Sequence, residues 1–576
     1  MKGDHICWFN TRIPILRRHS GPGTATPLEL TADHTDDPII AVQFGHPLAD
    51  RGFELLMRDI LQAAFPPRDK AEWLHRLATP PTPAELAAAL APYQSVFRLD
   101  HPDTPCLQAR PSPHSLSAAT AGKGAKRPAK NADEDEGEEA GSQPIAALLP
   151  DLPTGEAVKQ DADFFVRRGG VKAIGAGAML PVLYGHMVLF PPGGGGYFGL
   201  PHGADSIKYQ MVGDTLWRTL WLNVLYPGMD GYEGPGAGRP APLDASAFPW
   251  LDPELPHLPL GRRDEGAAKA LDRPRLHPAH IPMPRRYLLS PPVQGRCDLT
   301  GLEGPVYQSY DRWPKGLQYA PRGWRYPNVS RKEIVGKPEE EARFARASGP
   351  LRFDDWLETA LAPPRERKTE KAGAQRRHLP AVLQQIANVE RSTLLPAVDG
   401  VDTALGRGSL RVRAFAQFNY GKAVGGMSQR ELPLWLLPDA QLDWLCGEVT
   451  TVLEKASAMA GALRWMAREA VRLGRREGPA ALADNLGDAL LADLDAAALN
   501  LPGQLAQVVR EAGPDCYAQA DRLRDDFLAL ARRRALALFD AGFPIDGLGP
   551  IDDKLAAFRT RLVRRLNTIL KGEAHA

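Results

Sequence analysis

The sequence predicts an α+β protein, with a large irregular mixed N-terminal domain over residues 1–430 and a C-terminal four-helix bundle over residues 431–576. Three observations predict it. The chain has 576 residues, more than one hydrophobic core usually holds. Its 54 glycines and 54 prolines cut the first 430 residues into short runs. From about Leu432 the pattern becomes long stretches of apolar residues at three/four spacing.

The elements follow in order. "DPIIAVQFG" (37–45) reads as a strand, because β-branched residues run between Pro and Gly. "RGFELLMRDILQAAF" (51–65) and "PTPAELAAALAPYQSVFRL" (81–99) read as amphipathic helices. In the second, Thr82 is an N-cap and Pro83 a first helical residue. Residues 118–143 carry four cationic side chains, Lys123, Lys126, Arg127 and Lys130, and then an acidic run from Asp133 to Glu139. They offer no large apolar side chain to bury, so this insertion is expected to be disordered. Residues 144–430 read as irregular α+β. In "TLWRTLWLNVLYPG" (215–228), Trp217 and Trp221 share one helical face. Four helical patterns, at 441–476, 479–499, 516–542 and 553–572, then form the bundle. In the first, Leu442, Leu445, Val449, Val452 and Ala456 make one buried stripe.

Bulk composition excludes several classes. At 43% hydrophobic and 24% charged, the chain is an ordinary soluble one. A net charge of +1 is too small for a protein that coats nucleic acid alone, so such contact must use local patches or partners. Five scattered cysteines without a CxxC pair argue against a disulfide framework and a cysteine-rich zinc site, and fit the cytoplasm. The N-terminus has no apolar signal-peptide core. Ala173–Phe190 lacks Asp, Glu, Lys and Arg and has the length of a membrane span. Pro181, His186 and several glycines mark it instead as buried core, so no membrane association is expected.

"PPGGGGYFGLPHG" (191–203) places Gly193, Gly194, Gly195 and Gly196 in a row. Backbone without Cβ atoms permits close approach of another molecule. A phosphate loop would need GxxxxGK[ST], and Tyr197 and Phe198 stand there instead. No dinucleotide fingerprint, HExxH, GxSxG or zinc-finger spacing occurs. His277 and His280, three apart around Pro278, read as structural rather than metal-ligating. What recurs is basic and aromatic loop chemistry. Phe164 and Phe165 stand beside Arg167, Arg168 and Lys172. Residues 307–332 interleave aromatic and basic side chains, and Arg411, Arg413, Lys422 and Arg430 surround an Asn-Tyr-Gly turn. Aromatics stack on bases and cations neutralise phosphates, which points to nucleic-acid binding.

The order of these features resembles the CasA family, the large subunit of the type I-E Cascade CRISPR surveillance complex. "WFNTRIPI", "FRLDHPDTPCLQ", "PIAALL", the Phe165 loop, the glycine run, "LWRTLWLNVL", "RCDLTG", Trp324 and a terminal bundle follow one another along nearly the whole chain. The resemblance implies a subunit without catalytic activity or cofactor. It would read the protospacer-adjacent motif of double-stranded DNA from the minor groove, start strand separation and help recruit the helicase-nuclease. Guide pairing reads the rest. By the same resemblance, Gly193–Gly196 form the glycine loop and Lys315 is the minor-groove lysine. The wedge falls at Asn419, Tyr420, Gly421 and Lys422, where the family's glutamine is not matched. Phe165, Arg167, Arg168 and Lys172 face crRNA and the backbone. The implied partners are the backbone, small and crRNA 5′-end subunits, crRNA, target DNA and the helicase-nuclease. Some family members have further cysteines after the "CD..G" motif; here Cys297 stands alone, so no metal site is expected. Two rival readings are an enzyme binding a phosphorylated ligand at the glycine loop and a purely structural scaffold.

Overall fold

The computed structural model describes residues 5–116, 142–149, 169–190, 199–229, 243–258, 279–313, 315–319, 326–334, 343–347, 349–361, 375–389, 407–420, 423–435, 437–473, 480–511, 516–545 and 550–572. The chain divides into two compact units. One comprises Met1–Pro350, Arg367–Gly400 and Ser409–Glu431; the other comprises Leu351–Glu366, Val401–Gly408 and Leu432–Ala576.

The first unit is mixed. Its helices are α1 (Pro47–Ala64), α2 (Lys70–Ala78), α3 (Pro83–Leu90), α4 (Ala176–Leu189) and α5 (Leu216–Trp221). Small three-stranded sheets surround them, such as Gly21–Ala25, Ile13–Arg17 and Ile39–Val42 in that spatial order. Thr82 caps α3 through a capping box with Glu85, as its position predicts. The helix is shorter than the 81–99 pattern suggested. Pro92 lacks an N–H, and the chain passes into a 3-10 turn at Ala91–Tyr93. The insertion expected over 118–143 lies outside the described residues up to 141. Its last two residues belong to a strand, Ser142–Pro144, which pairs antiparallel with Ser309–Asp311.

Helix α4 is buried on every side and packs on α1. The two backbones meet at glycines: a Cβ on Gly52 would stand 2.1 Å from the Pro181 carbonyl oxygen, and one on Gly185 would stand 2.8 Å from that of Leu48. Pro181 does not break the helix. Having no N–H, it frees the carbonyl of Gly177 four residues earlier, and the Trp8 indole N–H donates to that oxygen at 3.0 Å. Among the described residues no helix is long and apolar enough to cross a membrane. Trp217 and Trp221 stack with ring centroids 5.3 Å apart. They are core residues: the Trp221 indole donates to the Trp73 carbonyl at 2.8 Å and the Trp217 indole to that of Arg76 at 2.9 Å.

The hairpin Arg407–Tyr420 and Ala423–Trp435 is longer than the short runs predicted there. Its first strand also pairs with Lys208–Val212, in a register that sets Phe415 opposite Lys208.

Two further helices, α6 (Phe353–Ala360) and α7 (Ala381–Ala387), precede the bundle. α7 belongs to the mixed unit and α6 to the helical one. The four long helices are α8 (Asp439–Leu473), α9 (Ala480–Glu511), α10 (Cys516–Gly542) and α11 (Pro550–Lys571). Leu442, Leu445, Val449, Val452 and Ala456 are buried as one stripe of α8. α9 continues through Pro502 to Glu511, twelve residues past the end predicted at 499, because Leu501, Leu505 and Ala506 keep burying its apolar face. Asp488 of α9 receives Arg352 at 3.2 Å and Arg464 at 2.9 Å, and the Phe353 N–H donates to Asp495 at 2.8 Å. These contacts tie α6 to the bundle.

Candidate nucleic-acid interface

The glycine run Gly193–Gly196 lies outside the described residues, but both of its ends are described. Upstream, Phe190 follows the C-terminus of α4 and stacks on His186, centroids 4.2 Å apart. Carbonyls at a helix C-terminus have no partner within the helix. Here the buried guanidinium of Arg285 takes two of them, donating to His186 at 2.9 Å and Phe190 at 2.5 Å. A cation there also complements the helix dipole. The His186 ring is neutral, held well below the usual histidine range by burial and then by Arg285. Its Nδ1 faces the Leu148 carbonyl at 2.9 Å and so carries the proton.

Downstream, Leu200–Lys208 forms a tight turn. The fully buried Lys208 ammonium donates to the carbonyls of Ala204 at 2.8 Å, Ser206 at 3.0 Å and Gly203 at 3.2 Å. Burial pushes it down to about 7, and the three carbonyls favour its protonated form. The His202 ring packs on Tyr326 at 5.2 Å.

Lys315 is 5% exposed and has the left-handed backbone angle φ = 54°. Such a conformation costs a non-glycine residue about 1–2 kcal/mol, so the surroundings must impose it. They do so through Met283–Arg285. The Gly316 N–H donates to the Pro284 carbonyl at 3.0 Å and that of Leu317 to Met283 at 2.8 Å. The Tyr319 hydroxyl accepts from the Met283 N–H at 3.0 Å and meets His280 Nε2 at 2.9 Å. His280 Nδ1 faces the Ser246 carbonyl at 2.8 Å. His280 is thus a satisfied core histidine; His277 lies outside the described residues. Residues 283–285 therefore hold both the upstream end of the glycine run and the Lys315 segment.

Of the wedge residues, Asn419 and Tyr420 end the first strand of the hairpin, while Gly421 and Lys422 lie outside the described residues. The hairpin is fixed further down. Arg413 is buried and pairs with Glu54 at 2.8 Å and Glu431 at 2.6 Å, and Glu54 also meets Arg51 at 2.6 Å. Arg413, read from sequence as part of a basic loop, is committed to the core. Phe165, Arg167 and Arg168 lie outside the described residues. Lys172 is exposed, at the end of that loop. Its N–H and that of Ala173 both donate to one Asp298 oxygen, at 2.7 and 2.9 Å. The neighbouring Cys297 is buried against Gly175, whose added Cβ would stand 3.0 Å from the cysteine Cβ. Among the described residues, no three His, Cys, Asp or Glu side chains gather as a metal site.

Sequence reasoning missed Arg285, Lys208, Glu54 and the role of Asp298. Only Asp298 had a signal, as part of "RCDLTG".

A mixed unit of small sheets with a unit of long helices is the architecture of known CRISPR-associated proteins. Cse1 from Acidimicrobium ferrooxidans matches with a TM-score of 0.59 at 17% identity, covering 99% of both chains. Thermobifida fusca Cse1 matches with 0.61 at 16%, covering 99% of this chain and 98% of the other. A chain of a CRISPR RNA-guided surveillance complex matches with 0.61 at 17%, covering 97% and 99%. No curated protein sequence matches the chain. The sequence profile of CRISPR-associated protein Cse1 matches residues 11–538, and the chain belongs to that family.

Proposed function

We propose that this chain is the large subunit of a type I-E Cascade complex and reads the protospacer-adjacent motif of double-stranded DNA. Gly193–Gly196 press backbone against base edges in the minor groove, which is about 6 Å wide. Lys315 turns outward to meet groove acceptors or phosphates beside it. The hairpin end at Asn419, Tyr420, Gly421 and Lys422 enters the base stack and opens the strands. Phe165, Arg167, Arg168 and Lys172 engage crRNA and the backbone subunits. Small and crRNA 5′-end subunits complete the assembly, and the opened complex recruits the helicase-nuclease. The chain catalyses nothing, needs no cofactor and works in the cytoplasm. Contact energy offsets an unstacking cost of a few kcal/mol per step until guide pairing takes over.

The observation that supports this reading most directly is the shared anchor. Arg285 holds the upstream end of the glycine run, while its neighbours Met283 and Pro284 hold the Lys315 segment. The test uses the reconstituted complex with and without this chain, on duplexes with a randomised motif beside a guide-matched target. Addition of the chain should create a preference for a few motifs, and bulky residues at Gly194 and Gly195 should abolish it with assembly intact. Equal binding to all motifs would leave a scaffold role instead.

A further inference from the structure

The helical unit carries another basic and aromatic surface, built from α8 and α11. Trp465 stands off the buried stripe of α8: Leu463 and Met466 beside it are buried, whereas Trp465 is 46% exposed. A lone exposed hydrophobic residue is ordinary. The setting of this one is not. The Arg565 guanidinium of α11 lies 5.5 Å from the indole centroid. Arg561, one turn earlier on α11, is exposed and lies 5.7 Å from the Phe558 ring. One turn before Trp465, a Cβ on Gly461 would meet nothing within 4 Å, so that side of α8 is open.

The charge is one-sided. From Lys554 to the end of α11 come Arg559, Arg561, Arg564, Arg565 and Lys571, with no acid among them. Arg559 is neutralised by Asp540 at 2.6 Å, but Arg561, Arg564 and Arg565 are exposed. On α8, Arg468 is exposed three residues after Trp465, and Glu469 is paired with Arg472 at 2.6 Å.

We infer that this surface binds single-stranded nucleic acid, with a base against Trp465 and the flanking phosphates on Arg561 and Arg565. An exposed ring among cations is the usual platform for an unpaired strand. Arg565 covers one side of the indole and leaves the rest for a base. A duplex keeps its bases stacked on one another and cannot offer one to the ring. The inference rests on α8 and α11 alone and stands or falls separately from motif reading.

The test is anisotropy of the full-length chain with short labelled oligonucleotides: single-stranded DNA, single-stranded RNA and duplex DNA. Trp465→Ala should weaken single-strand binding about tenfold, while Trp465→Phe, which keeps a ring, retains most of it. Arg561→Ala with Arg565→Ala should lower the salt slope by about 0.7 for each phosphate no longer neutralised. Duplex binding should not change. A preference for DNA or RNA would identify the source of the strand. Unchanged single-strand binding in both variants would overturn the inference. So would equal losses on single strand and duplex, or a Trp465→Ala defect confined to association with another protein.

Discussion

Gly316→Ala tests how Lys315 is held. A Cβ at this position would stand 2.4 Å from the Met283 carbonyl oxygen, 2.5 Å from the Pro284 carbonyl carbon and 2.6 Å from the Arg285 nitrogen. Contacts between carbon atoms are comfortable at about 3.5–4.0 Å. The overlap is therefore about 1 Å, and it falls on backbone atoms that cannot rotate away. If the segment stays, the strain of overpacking costs about 1–3 kcal/mol. If it lifts, the hydrogen bonds from Gly316 and Leu317 to Pro284 and Met283 break, at about 1 kcal/mol each. Either route predicts a loss of about 2 kcal/mol, well beyond the roughly 0.5 kcal/mol typical of surface changes. Urea unfolding of the full chain, followed by tryptophan fluorescence, reads it. Gly349→Ala is the control, since a Cβ there meets nothing within 4 Å. Motif-dependent DNA binding by the complex should fall with Gly316→Ala and not with the control. A Gly316→Ala stability within about 0.5 kcal/mol of the parent would refute this close approach of Gly316 to the Met283–Arg285 backbone.

Acid should destabilise the mixed unit through its buried histidines. Burial, then Arg285 for His186 and Lys208 for His202, holds both rings well below the usual histidine range. Below about pH 6.5 the unfolded chain takes up a proton on each that the folded chain refuses, so stability falls by up to about 1.4 kcal/mol per pH unit per ring. Above that pH neither ring contributes a slope, and His186→Gln should remove one ring's share of the acid slope in urea titrations at several pH values. Thr82→Ala removes the capping box of α3 and should cost about 1 kcal/mol, seen as faster amide exchange at Glu85–Leu90. Gly461→Ala fills open space in the middle of α8; it should stabilise the helical unit by about 0.5–1 kcal/mol, read as a higher Tm.

Local signals carried well from sequence to structure. The stripe of α8, the Trp217 and Trp221 pair and the Thr82 cap each depend on residues a few positions apart. What escaped notice was long-range. The carbonyl of Gly177, left without a helical partner by Pro181, is met by an indole 169 residues away. Arg285 reaches carbonyls 95 and 99 residues distant, and "MPRRY" has no periodicity to announce that. Arg413 read as surface charge because its partner Glu54 lies 359 residues earlier. The candidate site was legible as composition, a glycine run and basic-aromatic stretches. Its framework was not, because each anchoring side chain is buried by elements distant in the chain.

Two closures bracket the glycine run. Arg285 holds the chain at Phe190, the Gly203 N–H donates to the Leu200 carbonyl at 2.9 Å, and the Lys208 ammonium holds the carbonyls of Gly203, Ala204 and Ser206. Both ends are thus held by side chains that lie outside residues 191–198. A chimera carrying another family member's insert between these ends should keep the host's stability and take on the donor's preference.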